Sequence, residues 1–195
     1  MDIWTEDDFI GGHFILDFLN TVGDESKSRD VNRIASWNEL ISWLQQARLI
    51  NNQEADWIHE RFKNKDLNSA LEKLLKFREL AYAVLSSYAA NQEVPFAHLQ
   101  QLGATFKAAI KHATFQKITT SFEWSTSYAE NDIDFIYTRL VLGLSDFMQS
   151  QNINRVKECG RCTWLFVDRA PGVGRRWCRM NACGNRAKAE RFRHR

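Results

Sequence analysis

Four cysteines, Cys159, Cys162, Cys178 and Cys183, are the only thiols in this 195-residue chain. Their spacing is C-x2-C-x15-C-x4-C, close to that of a tetrahedral four-thiolate zinc site. Gly160 between the first two suits a tight knuckle that turns both sulfurs toward one centre. The stretches TWLFVD and RRWC are expected to pair as short strands around the APGVG turn, which would return the second cysteine pair beside the first. The run NRAKAERFRHR favours helix, so Cys183 is expected at a helix start, where the dipole stabilises a thiolate. Zinc is the expected ion, although the ligand set alone leaves iron or redox-active thiols open. Four protein ligands leave no coordination position for water, so the metal is expected to staple a module too small for its own core. Thiols stay reduced in the cytoplasm, and four clustered there read as metal ligands more readily than as two disulfides.

The arginines around these thiols suggest a second chemistry. Residues 155–195 hold 12 Lys and Arg against 3 Asp and Glu, whereas residues 1–154 hold 14 against 21. An acidic body thus carries a basic tail, the charge pattern of a module with an anionic partner. Arg175, Arg176, Arg179, Arg186, Lys188, Arg191, Arg193 and Arg195 are the candidate nucleic-acid contacts, interleaved with Trp164, Phe166, Trp177 and Phe192. Ala189 and Phe192 are expected to pack back on the zinc core. Double-stranded DNA is the expected partner, since arginine serves both phosphate and guanine edges. The alternative is a zinc-stabilised interaction module that docks an acidic protein or RNA.

The segments CGRCTWLFVDR and RRWCRMNACGNRAKAERFR, with the tetrapeptide CGNR at Cys183–Arg186, resemble the CGNR zinc finger, a C-terminal module of bacterial proteins classed as stress-induced transcription regulators. Upstream, GGHFILDFLNTVGDE, SWNELISWLQQARLI and LLKFRELAYAVL are similar to the N-terminal ABATE domain found with that finger. The resemblance implies a mainly helical, sensor-like domain followed by a DNA-binding finger.

The elements that must position these groups read as mainly α. Pro occurs only at 95 and 171, so the body has little loop chemistry. Ser36 and Glu39 have capping-box spacing ahead of an apolar stripe of Leu40, Ile41, Trp43 and Leu44. A long helix is expected from Asp66 to about Asn91, a shorter one begins with Pro95 in its first turn, and another starts at an Asn131 cap followed by Asp132 and Asp134. KITTSFEW alternates with a period of two and predicts a short β-hairpin or edge strand. The expected architecture is a helical body over 1–150 and a small treble-clef-like zinc finger over 151–195.

A helix through GGHFILDFLNTV would place His13, Asp17, Asn20 and Thr21 on one face. With Arg78 as counter-charge, His13, Asp17 and Asn20 are candidate ligand-binding residues for a small molecule; structural caps and bridges are the competing explanation. No Gly-rich phosphate loop, nucleophile elbow or zinc-protease motif occurs, so an enzyme is not expected. The acidic opening MDIWTEDDFIGG does not read as a secretory signal, and no 18-residue apolar span occurs. A soluble cytoplasmic protein is expected, with no membrane partner. A homodimer is the expected form if binding is sequence-specific, because one finger has a small footprint.

Overall fold

The structure is a computed structural model that describes residues 4–23, 27–126, 133–170 and 174–193. Seven α-helices are present among them: α1 (Phe14–Leu19), α2 (Trp37–Gln46), α3 (Asn52–Phe62), α4 (Asn68–Ala89), α5 (Phe96–Ile110), α6 (Asp134–Gln149) and α7 (Asn185–Arg193). Three two-stranded antiparallel pairs connect them: β1 (Val22–Gly23) with β2 (Val31–Asn32), β3 (Thr114–Lys117) with β4 (Phe122–Ser125), and β5 (Val156–Glu158) with β6 (Leu165–Val167).

Local chemistry sets most of the boundaries. The Ser36 hydroxyl accepts from the Glu39 N–H while the Glu39 carboxylate accepts from the Ser36 N–H, closing the expected capping box on α2. A second box, Asn51 with Glu54, starts α3. Pro95 is the N-cap of α5, one position before the expected first turn. The strand expected in KITTSFEW is a hairpin whose first strand begins upstream, with Phe115 opposite Trp124 and Lys117 opposite Phe122. The expected N-cap of α6, Asn131, and neighbouring Asp132 lie outside the described residues; the helix runs from Asp134.

Two expectations need correction. The helix through GGHFILDFLNTV is only six residues long. Gly12 has φ of +79°, which favours glycine, and His13 is extended and caps α1 rather than lying within it. TWLFVD does not pair with RRWC: β6 pairs with β5, Val156 opposite Val167 and Glu158 opposite Leu165. The first two cysteines therefore sit in the loop of a β5–β6 hairpin.

That hairpin decides how the tail sits on the body. Strand β6 alternates, as any strand does. Leu165 and Val167 join the main core with Leu16, Phe18, Trp43 and Leu144. Phe166, with Trp164 just before it, joins a second cluster made of the four cysteines, with Ile10 and Trp177 against it. One short strand is thus a wall common to both cores.

Candidate metal centre

All four cysteines are buried, and their sulfurs lie within 4.8 Å of one another. Cys162 Sγ is 3.6 Å from Cys178 Sγ, which is 3.4 Å from Cys183 Sγ. A tetrahedral zinc ion with Zn–S bonds of about 2.3 Å needs sulfur–sulfur separations of about 3.8 Å. The spacing is that of ligands around one ion, and Cys159, Cys162, Cys178 and Cys183 are the residues that would hold it.

The electrostatics agree. Hydrogen bonding from Cys162 and Cys178 holds the Cys159 thiol far below its usual range. Interaction with Cys159 pushes Cys162 and Cys178 up, and burial pushes Cys183 up. One thiolate is favoured at the expense of its neighbours, and only a central cation allows all four to ionise together. With four sulfurs on the ion the site is closed, so its chemistry is structural.

Two knuckles bring the sulfurs together. The Cys159 N–H donates to the Trp164 carbonyl at 2.9 Å, and the Gly160 N–H donates to the Arg176 carbonyl at 3.0 Å. A Cβ on Gly160 would lie 2.9 Å from the Trp177 ring, so only glycine admits that approach. The other knuckle is a π-helical turn, Met180–Gly184, leading directly into α7; Cys183 therefore precedes a helix start, as expected. Asp168, missed by sequence reasoning, anchors the loop between the knuckles by accepting from Lys157 Nζ at 2.6 Å and the Arg175 N–H at 3.0 Å. The Lys157 bond is the main reason its carboxyl is lowered to about 2.

The candidate nucleic-acid residues divide into two groups. Arg175 turns inward, donating to the Trp177 and Cys178 carbonyls and standing 4.3 Å over the Phe166 ring. Arg179 pairs with Asp7 at 2.6 Å and covers Trp164. Both brace the finger. Arg176 is exposed and lies 4.7 Å over Trp177. Arg186, Lys188, Arg191 and Arg193 are all exposed on α7, which has no buried residue. Arg195 lies outside the described residues. Phe192 and Ala189 do not pack on the zinc core: Ala189 is exposed and Phe192 is 82% exposed. The helix is instead pinned by an Arg161–Glu190 ion pair.

The N-terminal polar residues are engaged within the fold. His13 accepts from the Ile15 N–H and lies against Phe14 and Phe147, and its burial lowers its pKa. Asp17 accepts from the Gly11 N–H at 2.7 Å. Arg78 does not pair with Asp17; it donates to Glu79, Thr21 and Asn32 at 2.8, 3.0 and 2.9 Å. Asn20 does the most: its Nδ2 donates to the Leu165 carbonyl at 2.9 Å and its Oδ1 accepts from the Leu165 N–H at 2.8 Å. It thereby acts as one rung of a sheet for β6. Trp164 Nε1 donates to the Val22 carbonyl at 2.9 Å, and the Val167 N–H to the Gly11 carbonyl at 2.8 Å. Asn20→Ala should leave two buried groups of Leu165 without partners and cost about 3 kcal/mol, read as a lowered urea midpoint with unchanged slope; a midpoint matching wild type would exclude the clamp.

No helix among the described residues is long and apolar enough to cross a membrane. No curated protein matches the chain significantly. A family model for the CGNR zinc finger matches residues 155–195. The model of the ABATE family, described as "Putative stress-induced transcription regulator", matches residues 12–141. A helical body matched over most of its length, joined to four clustered thiols within the matched finger, places this chain in the ABATE family with a CGNR zinc finger.

Proposed function

We propose that the chain is a DNA-binding transcription regulator: residues 151–195 form a zinc-stapled finger that contacts duplex DNA, and residues 1–150 form a helical body that receives a signal. The observation that carries this reading is α7, which leaves the zinc knuckle with no buried residue and four exposed cations, Arg186, Lys188, Arg191 and Arg193. A helix held by the zinc knuckle and by the Arg161–Glu190 pair, with these four cations exposed along it, fits a groove lined by phosphates. Arg176 reaches backbone beside it, while Arg175 and Arg179 orient the finger. Binding rather than catalysis is the role, since the zinc is closed off from water. The cytoplasm, where its ligands stay reduced, is the compartment.

A small-molecule signal fits a cleft of about 350 Å³ between α4, α5 and α6, lined by Lys73, Phe77, Gln101, Thr105 and Tyr137, better than it fits His13, Asp17, Asn20 and Arg78, whose polar groups are engaged. The Asn20 and Trp164 bonds are the route by which the body would bias the finger.

Replacing Lys188 and Arg191 together by Ala should weaken all duplexes alike and flatten the slope of log K against log salt by about two units, measured by anisotropy on the full chain. Absence of duplex binding at low salt would overturn the reading. The exposed Phe192 beside Trp177, Arg176 and Arg191 favours the second reading, in which the same face docks RNA or an acidic protein, because an exposed ring is what an unpaired base stacks on. Binding to single strands that exceeds duplex binding, and is lost in Phe192→Ala, would select it.

A further inference from the structure

Of the eleven large apolar side chains left exposed among the described residues, seven fall between positions 96 and 124. Six of the seven form two surfaces, and Ile118 stands in the turn between β3 and β4. On α5, Phe96, Leu99, Gly103 and Ile110 recur at helical steps and share the outward face, while Leu102 and Ala109 point into the core. Phe96, Leu99 and Ile110 are 72%, 45% and 42% exposed. At the middle of this stripe Gly103 is bare, and a Cβ added there would meet nothing within 4 Å. The β3–β4 hairpin follows. Phe115, Lys117, Phe122 and Trp124 share one face through the register of opposed pairs, and Thr114, Gln116, Glu123 and Ser125 share the other. The rings of Phe115 and Phe122 are 5.9 Å apart and those of Phe115 and Trp124 5.0 Å. They remain 57%, 66% and 44% exposed for Phe115, Phe122 and Trp124.

A two-stranded hairpin standing in water is marginal by itself, and a helix apolar on both faces is normally covered on both. With about 150–250 Å² per aromatic side chain, the hairpin rings present roughly 300 Å² of apolar surface, and the α5 stripe presents a similar area. The two surfaces match in extent, and both belong to one chain. A two-fold axis lets each copy cover the other's exposed surface at once, because a contact from one site to another is then made twice. The paired contacts would bury roughly 1,200 Å² of apolar surface, which with its polar fringe falls in the range of a stable interface.

We propose that the chain forms a two-fold dimer in which the aromatic face of each β3–β4 hairpin lies on the α5 stripe of the second copy, closest at Gly103. This interface does not depend on what the finger binds.

The test is the mass of the full zinc-loaded chain by sedimentation and light scattering at micromolar concentration. Wild type should be a dimer. Leu99→Glu and Phe122→Lys should each raise the dimer dissociation constant by about 100-fold or more while far-ultraviolet circular dichroism keeps its helical signal. The variant carrying both changes should dimerise better than either alone, since the new charges meet across the interface. A monomeric wild type, a dimer untouched by both single changes, or a double variant as monomeric as the singles would each overturn the proposal.

Discussion

Removing the metal is expected to unfold the finger and to lower the melting temperature of the helical body with it. A closed four-thiolate site contributes on the order of 10 kcal/mol to the fold of a small finger, and Cys178→Ser removes one of its four ligands. In a finger tethered by a free linker the loss would stop there. Here Leu165 and Val167 are 0% and 4% exposed within the body's core. Release of β6 uncovers both, at about 1.5–3 kcal/mol for each side chain, and frees the Asn20 side chain of its two bonds to Leu165. Wild type should carry one zinc per chain by elemental analysis and melt in a single transition. Cys178→Ser should carry none, and its remaining helical signal should melt several degrees lower. A body that melts at the wild-type temperature without metal would show the two cores to be independent.

Asp17 should make stability fall with rising pH. Burial raises its carboxyl from 3.8 to about 7, against the smaller opposing effect of the Gly11 N–H. Between these values the folded chain holds a proton that the unfolded chain has released, so proton uptake favours folding and its benefit disappears as pH climbs through the window. At about 1.36 kcal/mol per unit, the full gap is worth about 4 kcal/mol. Asp17→Asn keeps an acceptor for the Gly11 N–H but cannot ionise. The variant should match wild type near pH 4 and exceed it by about 4 kcal/mol at pH 8, compared by urea unfolding at both values. A constant difference across that range would assign Asp17 an ordinary carboxyl.

The four thiols were legible because ligand spacing is a local property, and so were α2, α4 and α6, whose buried stripes repeat within each segment. Strand β5 was not, since Val156–Glu158 is too short to show any period, and TWLFVD was therefore matched to the wrong partner. Charge told where Arg175 and Arg179 stood but not where they pointed; Asp7, Phe166 and the Cys178 carbonyl come beside them only after folding. The polar residues around α1 are legible as a group, yet the partners of Asp17, Thr21 and Asn20 at Gly11, Arg78 and Leu165 are set by packing, which helical spacing cannot encode.

The wall common to both cores also fixes an order of events during synthesis. Helix α1 emerges early, yet the backbone that Asn20 clamps lies 145 residues downstream, so most of the chain must be made before that helix can be secured. Contacts closed over such a span are slow to form, and a nascent helix that must wait exposes its apolar face meanwhile. The body therefore cannot finish folding ahead of the finger as a leading domain of a modular protein would. Truncation before residue 165 should yield a body that keeps its helical signal but melts several degrees below the full chain.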